Sequence, residues 1–140
     1  MTVATEHDEQ VSLFQLAAHM SGKYPELRLM HTIPNGGLRN PVVASKLKAE
    51  GVKAGVPDIF LPEARGGYHG LYIEMKRIKG GRLSTEQAQW IADLLGQGYA
   101  VYKCEGWVKA KEIIESYLKI PCEKGRSTAN FKDTAKIIPM

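Results

Sequence analysis

Cysteine is scarce: Cys104 and Cys122 are the only two in 140 residues, and they form neither a CxxC pair nor a cluster with histidine. That spacing excludes a disulfide framework and a structural zinc site. No apolar run approaches the roughly 20 residues that a membrane span requires. The opening MTVATEHDEQ is acidic and lacks the basic start of a signal peptide. Internal repeats, low-complexity tracts and Pro/Gly/Ser-rich linkers are also missing, so nothing divides the chain. With 44% apolar and 24% charged residues the composition is that of a globular protein. The expectation is one soluble, cytoplasmic domain with no membrane partner.

What is present is positive charge, unevenly placed. The first twenty residues carry Glu6, Asp8 and Glu9 and no Lys or Arg. The other 120 hold all 19 basic groups against 12 acidic ones, a net of +7. Such a distribution suits a polyanionic partner, although a solvated surface could carry it too.

Periodicity divides the chain into short elements. EHDEQVSLFQLAAHM places Val11, Phe14, Ala17 and Ala18 at helical spacing, with acids in the first turn. LRLMHTI reads as a short β-like run closed by PNGG, and NPVVASKLKAEG as a helix opened by Pro41 and stopped by Gly51. VPDIFLP and GLYIEMK read as two strands of an antiparallel hairpin joined by EARGGYHG. STEQAQWIADLLGQG carries a capping box, Ser84 with Gln87, and an apolar stripe of Ala88, Ile91 and Leu95. YAVYKC is a further strand. WVKAKEIIESYL is a helix with Ala110, Ile113, Ile114, Tyr117 and Leu118 on one face. This order predicts a mixed α/β sheet flanked by helices over residues 1–120, with 121–140 as an arm or tail.

Chemistry concentrates between Asp58 and Lys76. Glu74 and Lys76 stand two apart on one strand and so project from the same sheet face, and the hairpin would bring Asp58 beside them. Two carboxylates on adjacent strands make a hard oxygen site suited to Mg²⁺ or Mn²⁺. A nearby lysine can contact a water or a phosphate oxygen, so the set suits phosphodiester hydrolysis. Each residue also has a plain reading, Glu74 and Lys76 as a surface ion pair and Asp58 as part of a turn. The apolar IFL and LYI around them place the charges at a buried sheet edge, where unpaired charge is costly.

GVPDIFLP, GLYIEMK, STEQAQW and GYAVYKCEGWVKA together resemble the PD-(D/E)XK nuclease superfamily, specifically its VRR-NUC (virus-type replication-repair nuclease) branch. PNGGLRN and SKLKAEGVKAGVPD are similar to that branch as well, so the likeness runs from about residue 6 to 119. It implies a restriction-endonuclease-like fold in the small stand-alone form of bacteria and phages. The resemblance makes Asp58 and Glu74 metal ligands, with the Met75 backbone carbonyl as a third. It makes Lys76 the residue that orients the attacking water, and Gln87 a support for Lys76 or a phosphate. A capping role with Ser84 competes for Gln87, and one glutamine is expected to serve only one of the two. The family also uses an acid in the first helix, directly or through water. Glu6 shares a face with Gln10 and is preferred, while Glu9 shares a face with Leu13 and Leu16. All three early acids could instead simply complement the helix dipole.

Phosphate contacts are expected at Asn35, Gly36, Gly37 and Arg39, where a glycine turn lets backbone amides approach, and at the basic run Arg77, Lys79 and Arg82; the plain readings are an ordinary tight turn and a solvated loop. Lys46, Lys48 and Lys53 are open to either reading. His7, His19, His31 and His69 fall at no ligand spacing, and Trp90 and Trp107 read as core. Nothing here resembles a major-groove reader. The resemblance implies an Mg²⁺-dependent endonuclease leaving 5′-phosphates, acting on branched double-stranded DNA. The leading expectation is a Holliday (four-way) junction resolvase working as a homodimer. Its rivals are a flap or nicking nuclease, a DNA-binding accessory without turnover, and a sequence-specific restriction-like enzyme.

Overall fold

A computed structural model describes residues 2–34 and 40–122. The expected glycine-turn contacts at Asn35, Gly36, Gly37 and Arg39, and the chain beyond Cys122, lie outside the described residues. Helix α1 spans Glu6–Met20 and α2 Pro41–Ala49; strands β2 (Ile59–Leu61) and β3 (Leu71–Lys76) follow a two-residue β1 (His31–Thr32). Then come α3 (Thr85–Gly96), β4 (Ala100–Glu105) and α4 (Trp107–Leu118). The sheet order is β1-β2-β3-β4, antiparallel up to β3 and parallel between β3 and β4. A parallel pair needs a crossover connection, which α3 supplies.

The element order agrees with the sequence except in LRLMHTI. Pro25–Leu29 forms a 3₁₀ turn, leaving only His31 and Thr32 as strand. Pro25 removes one ladder donor, and the Leu27 and Met30 amides turn back onto the carbonyls of Tyr24 and Leu27.

Alternation along β2 and β3 separates two environments. Ile59, Leu61, Leu71, Ile73 and Met75 are all buried in one cluster with Leu13 and Ala17 of α1 and Ala110, Ile114 and Leu118 of α4. Glu74 and Lys76 take the opposite face, toward α3. Of the three apolar stripes expected on the helices, that of α4 is buried and the other two need correction. α3 buries Leu94, with Trp90 and Ile91 half-buried, and leaves Ala88 and Leu95 exposed. Its rotation is set by Gln87, which must face Glu74 and Lys76, so the packing side runs through 87, 91 and 94. α1 buries Glu9, Leu13 and Ala17, while Val11 and Ala18 stay exposed. Trp107 packs against the core as expected.

One glycine ties the loop before β2 to α3. Gly55 has φ +92°, and a Cβ there would stand 2.7 Å from the Glu86 carbonyl carbon. Gly55→Ala would have to push the first turn of α3 away from the sheet as well as strain the backbone. It is expected to cost on the order of 2 kcal/mol, read as a lower midpoint in urea unfolding. An unchanged midpoint would show that α3 is not clamped there.

Candidate active site

The register that pairs Ile59 with Ile73 sets Asp58 opposite Glu74. Asp58 stands just before β2. Its Oδ2 accepts the Met75 backbone N–H at 2.8 Å, and its carbonyl accepts the Ile33 N–H at 2.7 Å and the Thr32 hydroxyl at 3.0 Å. Thr32 in turn accepts the Gln10 side-chain amide at 2.9 Å. Asp58 is thus held by β3 through its carboxylate, and by β1 and α1 through its carbonyl.

Glu74 is 1% exposed and Lys76 6%. Gln87 joins them: its Nε2 donates to Glu74 Oε1 at 2.8 Å, and its Oε1 accepts Lys76 Nζ at 3.1 Å. The same Oε1 accepts the Ser84 backbone N–H at 2.9 Å, while Ser84 Oγ accepts the Gln87 N–H at 3.1 Å. The expectation that this glutamine would serve either the cap or the lysine is therefore corrected. A carbonyl oxygen has two lone pairs and the amide nitrogen points the other way, so one side chain does both. The capping box fixes the rotamer that reaches Lys76 and Glu74.

The carboxyls are electrostatically strained. Burial, then the charge of Asp58, pushes Glu74 up to about 8, against the opposing pull of Lys76. Asp58 is also raised, chiefly by burial, with the Met75 N–H working against the shift. Lys76 Nζ lies 3.8 Å from Glu74 Oε1. Among the described residues no N–H donor reaches the buried Glu74 Oε2, and the Glu74 and Asp58 carboxyls hydrogen-bond to each other. A buried carboxylate oxygen without an N–H donor, beside a second carboxylate, is what a hard divalent cation would satisfy. The residues therefore fit such an ion. Among the described residues no group of three or more His, Cys, Asp or Glu side chains is arranged to hold a metal. Asp58 and Glu74 would be its side-chain ligands, leaving places for the Met75 carbonyl, solvent or substrate oxygen.

The three early acids have three different surroundings. Asp8 closes a capping box with Thr5 at the start of α1, and the Thr5 backbone N–H, then its hydroxyl, hold its carboxyl below the usual range. Glu9 is 4% exposed and accepts the Trp107 backbone N–H at 2.7 Å, satisfying an orphan donor at the start of α4. Glu6 is exposed, lines the same cleft as Asp58, and its charge raises the proton affinity of both Asp58 and Glu74. The structure thus brings Glu6, Asp58, Glu74, Lys76 and Gln87 to one place and turns Glu9 into the core. Glu9's place was half legible, because it shares the Leu13 face that is buried. The support from Gln10 and Thr32 carried no sequence signal, since it depends on β1 lying beside Asp58.

Arg77, Lys79 and Arg82 are exposed on the loop after β3 and form one wall of a groove whose other wall is residues 3–7. Gly81 closes against Lys76, where a Cβ would meet the Lys76 Cβ at 2.9 Å. Lys46, Lys48 and Lys53 are exposed elsewhere on the surface. His7 borders the cleft, whereas His69 packs its ring edge-on to Tyr99, 5.7 Å between centroids, at the start of β3. Cys104 is fully buried, and burial raises its thiol to about 11, so it carries no reactive thiolate. No described helix is long and apolar enough to cross a membrane.

No curated protein sequence matches the chain. A solved structure described as a VRR_NUC domain protein superposes with a TM-score of 0.73 at 30% sequence identity, covering 86% of this chain and 93% of the other. That places the sheet and its flanking helices in the restriction-endonuclease-like fold. Residues 6–107 match the family model for the VRR-NUC domain, a stretch that contains the carboxylate pair, its lysine and the glutamine that joins them. The chain belongs to the VRR-NUC family and is a nuclease that acts on DNA.

Proposed function

We propose that this nuclease is a divalent-cation-dependent endonuclease that cuts branched double-stranded DNA, with the four-way junction as its leading substrate and a homodimer as its working form. The observation that carries the reading is the set of buried Glu74 and Lys76 with half-buried Asp58 and Gln87, in which no N–H donor among the described residues reaches Glu74 Oε2. Asp58 and Glu74 would hold Mg²⁺, or Mn²⁺ in its place. When bound, such an ion neutralises charge on the scissile phosphate and makes water a better nucleophile. Lys76 Nζ, fixed by Gln87, orients the attacking water and holds a phosphate oxygen. Glu6 adds negative potential at the cleft mouth and can reach the ion through water. Arg77, Lys79 and Arg82 bind phosphates beyond the cut, which gives affinity without a sequence code.

Cutting two opposed strands of a junction needs two sites in one particle, and a symmetric dimer supplies them. The test is cleavage of a labelled panel: four-way junction, 5′ flap, 3′ flap, nicked and plain duplex DNA, each with Mg²⁺, Mn²⁺ or EDTA. Paired symmetric incisions in the junction, lost in EDTA, are expected. Single cuts at flaps by a monomer would replace the resolvase with a flap nuclease. Intact binding without metal-dependent cleavage of any substrate would leave a DNA-binding accessory.

A further inference from the structure

Two grooves of opposite character meet at Glu6 and His7. One carries Arg77, Lys79 and Arg82. The other is a cleft of about 860 Å³ that runs along α1 and ends at Asp58 and Met75. Among the described residues no Lys or Arg lines it. Its wall is formed by the exposed Val11 and Ala18 of α1 and by the outer side of Phe14, which also packs against the core, faced by Ile33 and Pro34. Val11 is 41% exposed and, with Phe14 and Ile33, gives that wall an apolar surface.

We infer that this cleft receives an unpaired nucleotide of the substrate strand, seated by its base, next to the phosphate held at Asp58 and Glu74. The inference rests on the endonuclease reading above and deepens it. A duplex would present phosphates to both grooves, yet away from the metal position at Asp58 the described lining of the α1 cleft offers them the Glu6 carboxylate and no Lys or Arg. A base offers an apolar face, which Val11, Phe14 and Ile33 can cover, and polar edges within reach of the Gln15 amide at the rim. Because Asp58 and Met75 form the end of the cleft, the seated base belongs to a nucleotide beside the scissile phosphate. The flanking duplex then lies on the basic side. The substrate class is DNA with a paired-to-unpaired boundary at the cut, such as an opened junction centre or a flap base.

The test uses the full chain with Ca²⁺ replacing Mg²⁺. The DNAs are a plain duplex and a splayed-arm duplex carrying 2-aminopurine at the first unpaired position. The wild-type protein is expected to change the 2-aminopurine emission on binding and to prefer the splayed arm. The uncharged double variant Val11→Ser/Phe14→Leu is expected to lose that response and about tenfold in splayed-arm affinity, within the range for one stacked base. Its plain-duplex affinity should stay within about twofold, which also shows that it folds. The single exposed change Ala18→Gln should move the same way with a smaller effect. An unaltered 2-aminopurine signal with wild-type protein, or equal loss on both DNAs with the variants, overturns the inference. A full 2-aminopurine response with no cleavage in Mg²⁺ upholds this cleft and overturns the nuclease reading instead.

Discussion

Lys76→Ala is expected to lower DNA cleavage by roughly 10²–10⁴-fold, the range for removing a positioned proton-transfer or water-orienting group. Lys76 is 6% exposed, and its Nζ lies 3.1 Å from Gln87 Oε1, so its reach is fixed rather than sampled. Gln87 keeps its bonds to Ser84 and Glu74 in the variant, so α3 should stay in place. DNA binding through Arg77, Lys79 and Arg82 should change little, and the loss should appear in kcat. Single-turnover cleavage at saturating protein separates chemistry from binding. If the variant cuts within about tenfold of wild type, Lys76 is not the group that handles the water.

Glu74→Gln is expected to abolish cleavage while making the metal-free protein more stable at alkaline pH. Glu74 has a folded value raised to about 8, above its ordinary value of 4.5. For an acid raised on folding, the stabilising contribution is complete below the unfolded value and disappears as pH climbs through the folded one. Metal-free wild-type protein should therefore weaken between about pH 4.5 and pH 8. Glutamine imitates the protonated form at every pH. It keeps an acceptor for Gln87 Nε2 and offers an N–H toward Asp58. The gain at pH 8.5 should be on the order of 2–4 kcal/mol, with little difference at pH 5. For a domain this size that corresponds to a Tm about 5–15 °C higher. Mg²⁺ should narrow the gap by stabilising wild type alone, since it binds the folded carboxylates. Parallel Tm curves for both proteins from pH 5 to 8.5 would show that Glu74 is not held against its ionisation.

Burial and the charge of Asp58 raise Glu74 well above the ordinary carboxyl range in the metal-free state, and groups so perturbed cluster at functional sites. The same logic covers Glu74 Oε2, which no N–H donor among the described residues reaches. Hydrophobic replacement would relieve the strain, and the family's chemistry is the physical reason it is tolerated.

Much of the site was legible in the chain, because its signals are local. Glu74 and Lys76 stand two apart on a strand, so their shared face follows from the strand period. Asp58 reaches them through one hairpin, and Ser84 with Gln87 is a capping pattern three residues long. LRLMHTI misled because β-like composition cannot report that Pro25, just upstream, opens a 3₁₀ segment that takes residues 27–29. The α3 stripe misled for another reason. Apolar count favours Ala88, Ile91 and Leu95, but the helix rotates to satisfy two buried charges through Gln87, and desolvated charge outweighs a few exposed methyl groups.

The sequence by itself determined the family, through motifs spread over most of the chain, and also the order of elements and the residue types at the carboxylate pair, which depend on spacing within about twenty residues. Only the tertiary structure decided among the early acids, sending Glu6 to the cleft, Asp8 to its own helix end and Glu9 to the start of α4. It also decided that Gln87 serves cap and site together, and that Val11 and Ala18 wall a cleft instead of a core while Phe14 meets both. These outcomes depend on what lies across from a helix face. Helical periodicity says which residues share a face, and nothing in it says what that face will meet.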